Sequence, residues 1–412
     1  MKKKLWIVSE LFFPEETATG YYITEIARHI AQYQEVNIIC GPVSYEKFSN
    51  LKSNETNLPV NINVFRVKAL SLDKNFLLLR IIRFISLTLS LSYEIVKRVK
   101  KNDQVWLVTN PAFLVPVAAL IAKLKQFNLT ILVHDMFPEN LVPVNLLTQR
   151  NIFYQLLKYI FDKSYQSADK IVACGRDMAT LIESKVGIEN KSKIVVIENW
   201  ADVYTIYPIN KNKITIYGNL NLQNKIIFQF AGNIGRLQGL DLLIEAISEC
   251  SNDLLHFVFI GEGAFKNKLK EIVNTKELGN VSFLGSFSRS RQNEFLNACD
   301  MGIVSLYDSM FGLGVPSKSY NILAAGKPIL YLGNKKSEIA LMINEHEIGW
   351  QFEMNDKKGL INFFSSIDNN FINDINRKSI EARLVAESKY SKATILKKYD
   401  ELLTSPPTHN RP

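Results

Sequence analysis

Residues 226–239 read IIFQFAGNIGRLQG, and the reading of this stretch decides the fold. Ile226–Ala231 is a short, nearly unbroken apolar run, the pattern of a strand buried on both faces of a parallel sheet. Gly232 and Gly235 follow at once, then Arg236, and an apolar helical pattern opens after Gly239. A strand, a glycine loop and a helix in that order make half of a βαβ unit.

The same rhythm recurs on both sides of this stretch. Before it, strands are predicted at 4–9, 36–40, 105–109, 130–133, 170–173 and 194–197, with helical patterns such as 22–32 and 113–125 between them. After it come strands at 255–260, 281–284, 301–305 and 328–332, and a long helical pattern over about 373–403. The segment 200–224 is polar, carries Pro208 and Gly218, and reads as a hinge between the halves. The expected fold is therefore α/β, with two Rossmann-like domains facing across a cleft, divided as 1–203 and 204–390.

Composition agrees with a globular chain of two domains: 412 residues, 47% hydrophobic and 22% charged. Cys40, Cys174, Cys250 and Cys299 lie far apart without a Cys-x-x-Cys pair, which argues against a zinc site or a disulfide framework and fits a cytoplasmic protein. Lys2, Lys3 and Lys4 before an apolar run imitate a signal peptide, but Glu10, Glu15 and Glu16 cut that run short. A net charge of +9 points to an anionic partner. No zinc-finger, KH or RRM signature occurs, so nucleic acid is not expected, and a membrane surface or a small anionic ligand leads.

In open α/β sheets, ligands sit at the carboxyl ends of the strands, so the residues there are the candidates. After the first strand, the loop to Gly20 reads either as a backbone approach to a ligand or as a plain βα loop. After the strand at 130–133 comes His134-Asp135-Met136-Phe137-Pro138-Glu139. His134 is the one histidine expected just past a strand end, where imidazole suits proton handling, with Asp135 orienting it or meeting a sugar hydroxyl. A plain capping pair is the alternative. His29 and His256 fall in a helix and a strand, His346 in a surface loop and His409 in the tail.

In the second half, Arg236 offers a planar fork for phosphate, or is simply a surface residue. Gly261-Glu262-Gly263 ends the next strand. Then 312–330 reads GLGVPSKSYNILAAGKPIL, with Ser317 as a helix N-cap and Lys318 in the first turn. A cation is disfavoured there by the helix dipole, unless an anion binds nearby. Arg236 and Lys318 together can neutralise a diphosphate. No Asp-x-Asp metal pair occurs, so protein cations would carry the charge of a leaving phosphate.

Taken in order, the Gly20 loop, His134-Asp135, Ala231-Gly-Asn-Ile-Gly-Arg236, Gly261-Glu-Gly263 and Pro316-Ser-Lys318 with Ala324-Ala-Gly326-Lys-Pro328 resemble the family 4 glycosyltransferases. Ser167-Ala-Asp-Lys-Ile-Val172 and Val196-Ile-Glu-Asn-Trp200 add to the likeness, which covers about 4–399. It is nearest to the branch that builds bacterial O-antigen and capsule sugars, including fucosaminyltransferase-like members. The resemblance implies a GT-B fold with the last helix, about 391–412, packing back on the first domain. It implies a retaining transferase without metal or cofactor, whose donor is a nucleoside-diphosphate sugar, UDP before GDP.

Arg236 and Lys318 would contact the diphosphate, with Gly20, Gly235, Gly261, Glu262, Gly314, Val315, Pro316 and Ser317 lining the donor. His134 would meet the transferred sugar, and Asp135 and Glu139 would lie on the acceptor side. The expected acceptor is a polyprenyl-diphosphate-linked saccharide. Two departures stand out. The family's Glu-x7-Glu positions hold Leu313 and Asn321, of which only Asn321 can hydrogen-bond a ribose. A lysine usual soon after the arginine is replaced by Gln238, a role Lys318 would take over. A silent nucleotide-sugar-binding subunit and a sugar-nucleotide epimerase are the rival readings.

Residues 76–92 read FLLLRIIRFISLTLSLS, followed by Lys97, Arg98, Lys100 and Lys101. Arg80 and Arg83 interrupt the run, so a membrane span is not expected. It reads either as a helix lying in an anionic headgroup layer or as a core helix. The first alternative places the protein peripherally on the inner face of the cytoplasmic membrane.

Overall fold

The short apolar runs form two parallel sheets. A computed structural model describes residues 3–15, 17–43, 58–70, 77–218, 220, 222 and 224–405. The chain divides into unit 1 (Met1–Ile197, Gly312–Gly314 and Leu396–Pro412) and unit 2 (Glu198–Phe311 and Val315–Ile395).

Unit 1 alternates β1 (Leu5–Ser9), α1 (Ala18–Ile30), β2 (Val36–Cys40), β3 (Ile62–Arg66), α2 (Leu77–Arg98), β4 (Gln104–Val108), α3 (Leu114–Lys125), β5 (Asn128–Val133), α4 (Ile152–Ser167), β6 (Lys170–Ala173), α5 (Arg176–Val186) and β7 (Ile194–Val196). Its sheet order is β3-β2-β1-β4-β5-β6-β7, and neighbouring strands pair in parallel. Central strands such as LWIVS and VNIIC are buried at every residue, as a sheet covered on both faces requires. Thr17 and Asn151 cap α1 and α4 by accepting from Gly20 N and Phe153 N. Helices α2, α3, α4 and α5 pack as neighbours in that order.

Unit 2 continues with β8 (Ile226–Ala231), α6 (Leu240–Ser248), β9 (Leu255–Ile260), α7 (Lys266–Thr275), β10 (Val281–Leu284), α8 (Gln292–Asn297), β11 (Met301–Ser305), α9 (Lys318–Ala324), β12 (Ile329–Leu332), α10 (Glu338–His346), β13 (Gly349–Phe352), α11 (Lys357–Ser366), α12 (Phe371–Ser388) and α13 (Lys392–Thr404). The parallel order is β10-β9-β8-β11-β12-β13. Its core stacks Phe228 on Phe257, ring centroids 5.2 Å apart, with Phe364 edge-on to both at 5.5 and 5.1 Å.

Several expectations need revision. The long C-terminal pattern is two helices, α12 and α13. The chain breaks at Ser391, which bridges Ala201 and accepts Thr394 N at 3.2 Å as a new N-cap. His346 ends α10 and is not in a loop. The start of the polar segment, 200–209, belongs to unit 2 and is tied there, with Tyr207 N donating to Asn293 Oδ1 and Ile209 N to Asn297 Oδ1. Trp200, Ala201 and Ile206 are buried, and Arg383 donates to the carbonyls of Val203 and Ile206 at 3.0 and 2.8 Å. From Leu396 onward α13 belongs to unit 1, where Tyr399 packs on Trp106 and His29 Nε2 lies 2.9 Å from Asp400 Oδ1. Lys2, Glu16, His409 and the tail beyond Ser405 lie outside the described residues, as do the side chain of Arg80 and the placement of Phe76.

Strand order reverses between β1 and β4 in unit 1, and between β8 and β11 in unit 2. Each reversal splays the loops at the carboxyl ends of two adjacent strands apart and leaves a crevice in its own unit.

Candidate functional site

The unit 2 reversal brings the β8 loop beside the β11 loop. Tyr307 N donates to Leu237 O at 3.1 Å, Ser305 Oγ donates to Gln238 O, and Tyr307 Oη reaches Asp241 at 2.7 Å. On the other side, the β9 loop extends the sheet pairing past the strand ends. Gly232 N donates to Ile260 O and Ile234 N to Glu262 O, both at 2.9 Å. Gly261 has φ +136°, and a Cβ there would stand 2.0 Å from Gly232 O. Gly261 thus serves to bring two backbones together, and Glu262 is ion-paired with Lys266 at 2.7 Å. These two residues support the β8 loop from behind.

Lys318 is the first residue of α9, and its Nζ sits 3.4 Å above the centre of the Phe230 ring, next to Gly232. The ring face offers the ammonium a modest attraction. Among the described residues no carboxylate or hydrogen-bond acceptor partners it, although the side chain is half-buried. Burial pushes the ammonium down to about 7. Arg236, exposed in the β8 loop, is likewise without an ion pair among the described residues. Both cations therefore lie past the carboxyl ends of the adjacent strands β8 and β11, each without a counter-charge among the described residues.

The neighbouring positions differ in detail from expectation. Ser317 stands at the N-cap of α9 with helical backbone and makes no side-chain capping bond among the described residues. Ser319 Oγ donates instead to Pro316 O at 2.7 Å. Gly235 packs against Asn233, and Val315, Pro316 and Ser317 are half-buried in the β11–α9 loop. Leu313 is buried, whereas Asn321 is half-buried with no side-chain hydrogen bond among the described residues.

In unit 1, His134 and Asp135 follow β5. Both backbone N–H groups donate to Thr109 Oγ1, at 3.1 and 3.2 Å. Thr109, at the end of the adjacent β4, was not singled out from sequence; only the pairing of β4 with β5 reveals it. No hydrogen bond joins the two side chains among the described residues. Burial pushes the His134 imidazole down to about 4, so it is neutral at physiological pH. Asp135 is exposed at its surface, and the protein around its carboxyl still raises its pKa by desolvation. Gly314 belongs to this unit too, with its Cβ position 3.9 Å from His134 O, and the same loop runs on to Lys318.

Two other predicted residues have internal roles. Gly20 lies within α1, its N–H is taken by Thr17 Oγ1, and a Cβ would meet Glu15 O at 2.8 Å. Its glycine is explained by that local crowding. Glu139 is buried, its Oε1 2.5 Å from Lys185 Nζ, while Lys185 also meets Asp162 at 2.8 Å. This ion cluster pins the His134–Glu139 loop to α4 and α5.

Comparison with known proteins bears on this geometry. Residues 19–204 match the family described as Glycosyltransferase Family 4, and residues 213–367 match Glycosyl transferases group 1. The probable glycosyltransferase WbjE of Pseudomonas aeruginosa is 33% identical over 398 residues, 96% of each chain. Among solved structures, Anabaena HepE in complex with UDP and glucose superposes with a TM-score of 0.71 at 17% identity, covering 98% of this chain and 100% of that one. WaaG, a glycosyltransferase involved in lipopolysaccharide biosynthesis, does so at 0.67 and 13%, covering 98% and 100%.

Proposed function

The chain belongs to the family 4, group 1 glycosyltransferases with the GT-B fold, and from that premise we propose the reaction it carries out. It moves a sugar from a nucleoside-diphosphate sugar, UDP-linked by preference, to a lipid-linked or growing surface saccharide, with retention and without a metal ion. The observation that carries this reading is the pair Lys318 and Arg236, cations at the glycine loop of β8 that have no counter-charge among the described residues. HepE, which shares the fold, binds UDP, and WaaG acts in lipopolysaccharide biosynthesis; both facts favour a UDP-sugar and a surface-saccharide acceptor.

In this mechanism unit 2 holds the donor. Arg236 forks across phosphate oxygens, Lys318 meets the diphosphate as a point charge, and Asn321 offers its amide to a ribose hydroxyl. The bond between the anomeric carbon and the diphosphate breaks as the acceptor hydroxyl attacks from the same face, and the hydroxyl proton passes to the departing phosphate oxygen. The two cations stabilise the charge that develops there. Neutral His134 hydrogen-bonds a hydroxyl of the transferred sugar, and Asp135 an acceptor hydroxyl. Glu139 contributes by holding their loop.

The acceptor's lipid places the enzyme at the cytoplasmic surface of an anionic membrane. Among the described residues no helix is long and apolar enough to cross a bilayer.

A thermal-shift assay tests the donor site. UDP at about one hundred times its Kd adds about 2.7 kcal/mol to the stability of the protein. R236A and K318A should each lose that protection while keeping the unliganded Tm. Absence of protection by both UDP and GDP overturns the proposal. Loss of sugar transfer from a labelled UDP-sugar in H134A, with UDP protection intact, separates an enzyme from a silent binding subunit.

A further inference from the structure

Helix α2 carries two apolar faces, one buried and one exposed. Leu87, Leu91, Ile95 and the following Val99 are fully buried against the sheet. Ile82, Ile85, Leu89, Tyr93 and Val96, spaced three or four apart, form a second apolar stripe that faces outward. A helix with one apolar face in the core has no folding reason to carry another.

The stripe is not confined to α2. On α3, which packs beside it, Leu120 and Leu124 are 59% and 74% exposed. On α4, the next helix in the row, Ile152, Phe153, Leu156 and Tyr159 are all more than half exposed. Scattered exposed apolar residues are ordinary, but three helices packed in a row that each present several point to an interaction surface.

Charge identifies the occupant. The only acidic residues in α2, α3 and α4 are Glu94 and Asp162. Glu94 is paired with Arg98, and Asp162 with Lys158 at 2.7 Å and Lys185 at 2.8 Å. Lys97, Lys100, Lys101, Lys123 and Lys163 stand exposed on these helices or at their ends. The same device occurs twice: Lys97 lies over the Tyr93 ring at 5.7 Å, and Lys163 over the Tyr159 ring at 5.9 Å. Tyrosine and lysine side chains of this kind put apolar bodies in the acyl boundary and polar tips among headgroups. A second copy of the chain would bring lysines against lysines, whereas an anionic lipid surface would neutralise them.

We propose that the outer faces of α2, α3 and α4 form a single docking face that takes an anionic bilayer surface. It deepens the proposed function by naming the surface through which the enzyme would reach a lipid-linked acceptor, and rests on that reading for the acceptor alone.

The test is co-sedimentation of the full chain with vesicles of phosphatidylglycerol mixed with phosphatidylethanolamine, against vesicles of phosphatidylcholine alone. Binding should be specific to the anionic vesicles and should weaken between about 0.1 M and about 1 M salt. L89E, L124E and L156E, one on each helix, should each weaken binding by about fivefold or more. All three sites are exposed, so each variant should keep the Tm and the UDP protection of the parent. If only L89E matters, the face is α2 alone and the three-helix proposal is overturned. It is also overturned if anionic vesicles do not bind, or if the parent is a dimer that L156E makes monomeric. Vesicle binding without UDP binding would leave the docking face standing and remove the proposed reaction; UDP-dependent transfer without vesicle binding would do the reverse.

Discussion

Lys318 is a cation at the start of a helix, where the dipole disfavours it, and its amine sits over an aromatic ring with its pKa lowered to about 7 by burial. A bound diphosphate favours the protonated form and raises that pKa again. As pH rises through about 7, the free protein loses the proton that the complex must recover, so UDP binding should weaken. Calorimetry in buffers of different ionisation enthalpy should show proton uptake on binding near neutral pH, and K318R should flatten the dependence because guanidinium stays charged. The oddity of this lysine was visible in sequence, as were Arg236 and His134. Its partner Phe230 and the clamp Thr109 were not, because Phe230 lies on β8 and Thr109 just past β4, and each becomes a neighbour only through the order of the sheet.

At the scale of elements, the loop after β5 is held by charge. Lys185, on α5, is fully buried and meets Glu139 and Asp162, and among the described residues Glu139 Oε2 has no hydrogen-bond partner. K185M should destabilise the protein by about 3 kcal/mol, read as a lower Tm, because two carboxylates lose their buried counter-charge while Lys158 compensates only partly. E139Q combined with K185M should recover part of that loss. Elements with short, mostly apolar runs were legible: β2, β6, β8, β9, β10 and β11 begin and end where the sequence indicated. The missed strands, β3 and β13, are at sheet edges. INVFR is interrupted by Asn63 and ends on Arg66, and GWQF opens on glycine, so neither carries the signal of a strand covered on both faces. The cap at Ser391, which divides the last helical pattern in two, is one serine among several and means nothing without its partner Ala201.

For the whole molecule, two sheets mean two cores. Phe364 reaches across from α11 to close the one in unit 2, touching both Phe228 and Phe257. F364A should cost about 3–5 kcal/mol and speed hydrogen exchange in β8, β9 and α11, while β1, β4 and β5 keep their protection. Two-domain α/β organisation followed from alternation alone, because a parallel sheet needs a crossover helix for every strand. What alternation did not reveal is how the chain is shared between the units.

Unit 1 is assembled from three separate stretches, the last of them beginning at Leu396. Tyr399 covers Trp106, Asp400 meets His29, and Leu403 O accepts from the side chain of Gln104. On a ribosome, the unit that emerges first would therefore wait longest for its final contacts, since they are translated after all of unit 2. A fragment ending at Ile197 would leave the face beneath Trp106 uncovered and would be a poor surrogate for unit 1. Order of synthesis and order of completion run in opposite directions here.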